Sequence, residues 1–177
     1  MLPATFETPR LRARLPESAD AELIYAAYAS NPAASRYMVW QPHLHVTTTR
    51  QFVAECLAAI KAGTRMPYVL TERQSPSAVI GMLEARPFGH KVDLGYVLSP
   101  SVWGRGYMPE AIRRLTEIAF GDPAVFRVQA FCDVDNIASQ RTLEKSGFLR
   151  EGRHERFLVH PNVSSEPRPC YMYAKCK

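Results

Sequence analysis

Val92-Asp93-Leu94-Gly95-Tyr96-Val97-Leu98-Ser99-Pro100-Ser101-Val102-Trp103-Gly104-Arg105-Gly106-Tyr107-Met108-Pro109-Glu110 is the stretch that decides the fold. Residues 92–98 are rich in apolar, β-prone side chains and read as a strand. Pro100, which lacks a backbone donor, breaks it. Beyond two glycines, Met108, Ala111, Ile112, Leu115 and Ala119 recur at helical spacing and predict a helix over 107–120. A strand, a glycine turn and a helix N-terminus in succession offer a ready cradle for an anion; the alternative reading is a glycine turn that merely starts a helix. Gly104 and Gly106 let the backbone turn and bring amide N–H groups close to a ligand. The helix start adds unpaired donors and a partial positive charge, and Arg105 adds a full one. Pro109 suits the first helical turn but has no N–H, so phosphate donors must come from Arg105 to Met108. Two other phosphate motifs are excluded. GxxxxGK[ST] is absent, and GxGxxG would need glycine at Pro109.

Working outward, Leu11, Ala13 and Leu15 alternate with Arg12 and Arg14 as in a half-buried strand that Pro16 ends. Leu23, Ile24, Ala27 and Tyr28 predict a helix closed by Asn31-Pro32. A second helix over 48–61 carries Phe52, Val53, Cys56, Leu57 and Ile60 on its apolar face and stops at Gly63. Residues 37–45 between these helices read as a loop or short helical turn. Strand-like runs at 68–72, 79–86 and 92–98, separated by turns at 74–77 and 87–90, predict antiparallel pairing. After the helix come a strand at 127–134, a helix over 136–146 with Gly147 as its cap, and strands near 148–158 and 170–175. The order β, α, α, β, β, β, α, β, α, β, β implies an α+β fold. It is a mixed, mostly antiparallel sheet flanked by helices on both faces, in a single domain over 1–177.

The composition narrows the function. The chain has 177 residues, 46% hydrophobic and 22% charged, which is ordinary for a folded globular protein and excludes disorder of the body. No stretch approaches the ~20 apolar residues of a membrane span. No apolar run follows a basic start, so neither a signal peptide nor a membrane partner is expected, and a cytoplasmic location is the default. Cys56, Cys132, Cys170 and Cys176 form no CxxC and no paired Cys/His spacing, which suits reduced thiols without a metal. The net charge of +5 is dispersed. It suits an anionic small ligand or an acidic partner, and the lack of a basic stripe argues against nucleic acid.

Downstream, Asn136-Ile137-Ala138-Ser139-Gln140-Arg141-Thr142-Leu143-Glu144-Lys145-Ser146-Gly147-Phe148 reads N-x-x-S-x-x-x-x-E-K-x-G-F. Taken with Asp93-Leu94-Gly95-Tyr96-Val97-Leu98-Ser99-Pro100, Trp103-Gly104-Arg105-Gly106-Tyr107 and Glu110-Ala111, it resembles the GNAT superfamily of N-acetyltransferases. The likeness is greatest to the branch named after ribosomal-protein N-terminal acetyltransferases (RimJ/RimL). It extends more loosely over nearly the whole chain from Thr8-Pro9-Arg10-Leu11. The superfamily's loop usually reads Q/R-x-x-G-x-G/A. Here Trp103 replaces the first residue and Met108 the final small one.

The resemblance implies that strands 92–98 and 127–134 run parallel and splay apart to bind acetyl-CoA. Pantetheine would bond to backbone groups around Tyr96, Val97 and Leu98. The pyrophosphate would sit on the loop of Trp103, Gly104, Arg105, Gly106, Tyr107 and Met108. Asn136 and Ser139 would form the other wall, with Arg141 and Lys145 near the adenosine phosphates. Asn136 is also a favoured N-cap, and both roles can hold.

The implied activity is acetyl transfer to a primary amine, on a protein N-terminus or a small molecule, without a metal. Asp93 is the first candidate for general base, directly or through a water, and Glu84 is the alternative. By family analogy the backbone N–H near Leu98 would stabilise the oxyanion. Ser139 is the candidate for thiolate protonation or orientation. Many members use a tyrosine near that place, and none occurs in 136–148. The acceptor pocket would draw on the first two helices, residues 37–45 and the last hairpin, with Trp40, His43, His45, Phe88 and His90 as lining candidates. His160-Pro161-Asn162 is a further, ambiguous one. A non-catalytic acyl-CoA-binding module that keeps the cradle is the alternative, and both monomer and homodimer fit the sequence.

Overall fold

Alternating side chains give the central strands two apolar faces, and each face is covered by its own helices. The computed structural model describes residues 2–177. Its strands are β1 (Thr5–Glu7), β2 (Leu11–Arg14), β3 (Met66–Glu72), β4 (Ser75–Phe88), β5 (Lys91–Leu98), β6 (Arg127–Asp133), β7 (Leu149–Leu158) and β8 (Arg168–Cys176). The helices are α1 (Asp20–Ile24), α2 (Pro32–Ser35), α3 (Val46–Lys61), α4 (Tyr107–Phe120) and α5 (Ile137–Lys145). The strands form one 8-stranded sheet in the order β1-β2-β3-β4-β5-β6-β8-β7. Every neighbouring pair is antiparallel except β5 and β6, which are parallel. The α+β class expected from the sequence is the class found.

On one face, Tyr68, Leu70, Leu83, Val92, Leu94, Val128 and Ala130 pack against Met108, Ala111, Ile112, Leu115 and Ala119 of α4. On the other, Val69, Val79 and Met82 pack against Ala21, Ile24, Tyr28 and Val53 from the first helical layer, joined by Val97. Tyr68 and Val69 are neighbours in sequence, both fully buried, and belong to opposite layers, as a strand covered on both sides requires. The β3–β4 register slips near Leu70 and Thr71, where Leu70 faces Gly81 but Thr71 faces Val79. The bulge resets the alternation, so Val79 and Met82 share one layer while Ile80 and Leu83 share the other.

Between β5 and β6 the pairing covers only Lys91–Arg127, Val92–Val128 and Asp93–Gln129. β5 runs on to Leu98 beside β4, and β6 runs on to Asp133 beside β8. A wedge therefore opens in the sheet after Asp93, as the resemblance implied.

Four local readings change. β1, only 3 residues long, is too short to show an alternation and has no counterpart in the expected order. The first helix continues α1 through a π-helical turn at Tyr25–Ala29, where Ser30 N–H donates to Tyr25 O at 3.3 Å. Asn31 does more than end it. Its side chain caps α2, accepting from Ala33 N at 2.9 Å and Ala34 N at 3.3 Å. Residues 75–77, read as turn, are already the start of β4.

Gly81 faces Leu98 across the sheet. A Cβ there would stand 2.6 Å from Leu98 Cδ2 and closer still to the carbonyl oxygen of Val97. Gly81→Ala must push β5 aside. We expect a loss of about 1–3 kcal/mol, or roughly 2–4 °C in Tm per kcal/mol for a chain of this length. A thermal melt indistinguishable from wild type would contradict the close approach.

Candidate active site

The loop at the head of α4 is held from several sides. Ser99 N–H donates to Ile80 O at 2.8 Å, and a 3-10 turn follows over Pro100–Val102. Gly104 at φ 77° and Gly106 at φ 74° take the left-handed conformation that side chains disfavour, and Gly106 is the N-cap of α4. Trp103 folds back, its indole N–H donating to Leu98 O at 3.0 Å, so this side chain ties the loop to the end of β5. Arg105 turns towards Glu72, 3.6 Å away, and donates to Ser101 O at 3.3 Å. Met108 is 2% exposed and its side chain lies in the core, which leaves only its backbone at the loop. Tyr107 lies beneath the guanidinium of Arg10 at 4.6 Å.

Along the wedge, Tyr96 points to the layer of α4 and α5. Its hydroxyl lies 2.7 Å from Ser139 Oγ. Burial of the phenol raises its pKa. Cys132 on β6 is buried, and burial pushes its thiol up to about 11, so it is protonated at neutral pH. Ser139 sits in the first turn of α5, where its N–H donates to Asn136 Oδ1 at 3.1 Å. Asn136 is thus the N-cap, and its oxygen is engaged in that role. Arg141 stands on the exposed side of α5. The expected tyrosine is missing from 136–148, yet β5 supplies a phenol at Ser139 from across the wedge.

The candidate bases lie on the opposite face. Asp93, Gly95 and Val97 alternate with Tyr96, and Val97 packs in the layer of the first helices. Arg86 is directly across from Asp93 and Glu84 across from Gly95, which puts Glu84, Arg86 and Asp93 on one face. A Cβ at Gly95 would be 3.3 Å from Arg86 Nη2, so the guanidinium lies over this glycine. Glu84 is held between Arg65 at 3.3 Å and Arg86 at 3.4 Å. Asp93 Oδ1 is buried with no hydrogen-bond partner among the described residues. A buried acceptor without a donor is costly. Of the two carboxylates, Glu84 has both oxygens engaged by guanidiniums, whereas Asp93 Oδ1 is unpaired.

At the C-terminal end of β6, the loop between β7 and β8 is pinned over α2. Asn162 Nδ2 donates to Ser35 O at 2.7 Å and to Trp40 O at 2.8 Å. Tyr37 hydroxyl donates to Asp135 O at 3.3 Å. Beneath them Asp133, fully buried, accepts from Arg168 Nε at 2.6 Å and from Asp135 N at 2.9 Å, with His160 Nε2 3.8 Å away. Burial pulls the Asp133 carboxyl up, but Arg168 outweighs it and holds the pKa below the ordinary value. The proposed lining residues do not converge. Trp40 and His43 pack together at 5.3 Å, with His43 Nδ1 2.8 Å from Thr49 Oγ1. His45 is the N-cap residue of α3. Phe88 and His90 sit at the β4–β5 turn, at the other end of β5 from the wedge. Among the described residues, no group of three or more His, Cys, Asp or Glu could hold a metal ion, and no helix is long and apolar enough to cross a membrane.

The residues that sequence reasoning missed are Arg10, the Tyr96 hydroxyl and Arg113, whose Nη1 donates to Lys145 O at 2.9 Å and joins α4 to α5. Each acts across a long sequence separation, so local spacing gives no signal of it.

Comparison with known proteins bears on this geometry. The family model described as the acetyltransferase (GNAT) domain matches residues 10–149. A Bacillus subtilis (strain 168) protein described as the uncharacterized N-acetyltransferase YoaA is 29% identical over 155 residues, covering 86% of each chain. The crystal structure of a GNAT-family acetyltransferase from Bacillus anthracis superposes with a TM-score of 0.82 at 25% identity, covering 97% of this chain and 98% of that one. RimL, a ribosomal L7/L12 α-N-protein acetyltransferase solved with coenzyme A, shares the fold. Its TM-score is 0.83 at 19% identity, covering 99% of this chain and 97% of that one.

The Asp133 cluster generates a pH prediction. Because the folded carboxyl titrates below its ordinary value, its contribution is complete above the unfolded pKa of about 3.9 and is lost as pH falls through the folded value. Asp133→Asn, which leaves Arg168 without its buried partner, should cost about 3 kcal/mol at pH 7. Thermal melts from neutral to acid pH should show the gap to wild type narrowing as pH falls. A constant gap would contradict the ion pair as its origin.

Proposed function

The chain belongs to the acetyltransferase (GNAT) domain family, and from that premise we propose that it moves the acetyl group of acetyl-CoA to a primary amine by direct attack on the thioester. The amine is the α-amine of a protein or peptide N-terminus or that of a small molecule. The observation that carries this reading is the wedge after Asp93, with a phosphate-type loop at its end and different chemistry on its two faces. RimL, named for α-N-protein acetylation and solved with coenzyme A, supports both the co-substrate and the first acceptor class. The sheet runs without a break from β1 to β7, which supports a single domain over 1–177.

In this reading the pyrophosphate lies on the backbone of residues 103–108 and pantetheine follows β5 at Tyr96, Val97 and Leu98. Trp103 acts by fixing the loop to Leu98 O. Asn136 and Ser139 line the opposite wall, and Arg141 reaches the adenosine phosphates from α5. The acceptor approaches from the face of Asp93. An α-amine with pKa near ~8 loses its proton easily, whereas a lysine near ~10.4 needs more help. Asp93 takes that proton, directly or through a water. A backbone N–H of β5 that faces the wedge meets the developing oxyanion. On the other face Ser139, bonded to Tyr96, orients the departing thiolate by a hydrogen bond, and the thiolate of pKa about 8.5 takes its proton from solvent. Glu84, engaged by two guanidiniums, keeps them ordered beside Asp93.

Acetyl-CoA turnover, followed as free thiol across a panel of N-terminal peptides and small amines, tests this. Acceptor-dependent thiol release is expected. Asp93→Asn should lower kcat by about 10²–10⁴-fold with the acetyl-CoA KM little changed. Tyr96→Phe should lower kcat by about tenfold or less, since a thiol of pKa about 8.5 needs only modest protonation. Tight coenzyme binding without release for any acceptor would replace the enzyme by a non-catalytic acyl-CoA-binding module.

A further inference from the structure

We propose that Arg10 is a positioning residue for the diphosphate of the coenzyme, holding the Arg105–Gly106 peptide so that the Gly106 N–H faces the diphosphate. The inference rests on the coenzyme reading above. Arg10 precedes β2 and lies far from the loop in sequence, yet its Nη1 donates to Arg105 O at 2.9 Å across 95 residues. The rest of its side chain is fixed by Glu110, in the first turn of α4. Nε donates to Glu110 Oε2 at 2.6 Å, Nη2 lies 2.6 Å from the same oxygen, and the Arg10 backbone N–H donates to Oε1 at 3.0 Å. The guanidinium also stacks on Tyr107 at 4.6 Å.

Glu110 is itself anchored. Thr8 Oγ1 donates to its Oε1 at 2.5 Å, and Leu11 N–H donates to Thr8 Oγ1 at 2.9 Å. Burial pulls the Glu110 carboxyl up, but hydrogen bonds from Thr8 and Arg10 outweigh it and keep it ionised below the ordinary range. The clamp therefore joins the start of β2 to the start of α4 through one carboxylate and one guanidinium.

The consequence follows from peptide geometry. In a planar trans peptide the C=O of one residue and the N–H of the next point in opposite directions. Drawing Arg105 O towards Arg10 turns the Gly106 N–H the other way. Glycines at 104 and 106, both at left-handed φ, leave this peptide free to rotate unless something holds it. A rotated peptide would aim a carbonyl oxygen, rather than an N–H, at a phosphate. Glu110 already balances the charge of Arg10. The contribution is thus orientation, which needs the planar fork of arginine and not merely a cation.

Calorimetric titration with coenzyme A, needing no acceptor, tests the clamp in wild type, Arg10→Ala and Arg10→Lys, alongside turnover of acetyl-CoA and of acetyl-pantetheine, which lacks the diphosphate. Both variants should bind coenzyme A about tenfold more weakly and show an acetyl-CoA KM raised by the same factor at nearly unchanged kcat. With acetyl-pantetheine all three should turn over alike. Equal coenzyme binding by wild type and Arg10→Ala would overturn the clamp alone. Full rescue by Arg10→Lys would make charge the cause, and a proportional loss with acetyl-pantetheine would make it a folding effect; either also overturns it. A wild-type protein that does not bind coenzyme A would overturn the coenzyme reading itself, before any variant is compared.

Discussion

β5 bonds to β6 for three residues and then parts from it, and the rest of the site depends on that separation. Two strands that diverge in the middle of a sheet would ordinarily close up or fray, because their facing backbone groups need partners. Here each is held on its far side. β4 pairs with β5 from Lys91 to Leu98, and β8 pairs with β6 from Arg127 to Asp133. The wedge is accordingly a fixed part of the sheet. The apolar layer under α4 and the layer under the first helices keep the diverging strands at their spacing.

Because strand side chains alternate, the wedge has two chemically distinct faces. Asp93 is on one, among Arg86 and the Arg65–Glu84 pair. Tyr96, Ser139 and Cys132 are on the other. The carboxylates and guanidiniums thus lie on one face of the sheet and the hydroxyls on the other. The loop at the end of β5 and the start of α4 closes the wedge lengthwise, and the pinned β7–β8 loop stands over the C-terminal end of β6.

Much of this was legible in the sequence where the cause is local. The bounds of α4 at Tyr107 and Phe120 follow from a glycine before it and an apolar repeat within it, and Asn136 caps α5 as its residue type suggests. The parallel pair and its splay came from the resemblance rather than from spacing. What stayed hidden depends on contacts distant in sequence. Glu110 meets Thr8 across 102 residues, and Ser139 meets Tyr96 across 43. Local pattern also says nothing of where a side chain turns. Trp103 and Arg105 sit in the loop as expected, yet one folds back on β5 and the other turns to Glu72. The aromatic and histidine residues at 40–45 and 88–90 look alike by composition. The antiparallel β4–β5 turn carries the second group to the end of β5 away from the wedge.

Residue-resolved hydrogen exchange with and without coenzyme A tests most directly whether the wedge and its loop are the binding site. Slowed exchange on binding is expected at the β5 amides around residues 96–98 and at residues 104–108, with the β7 edge unchanged. Binding that protects neither segment would contradict the account.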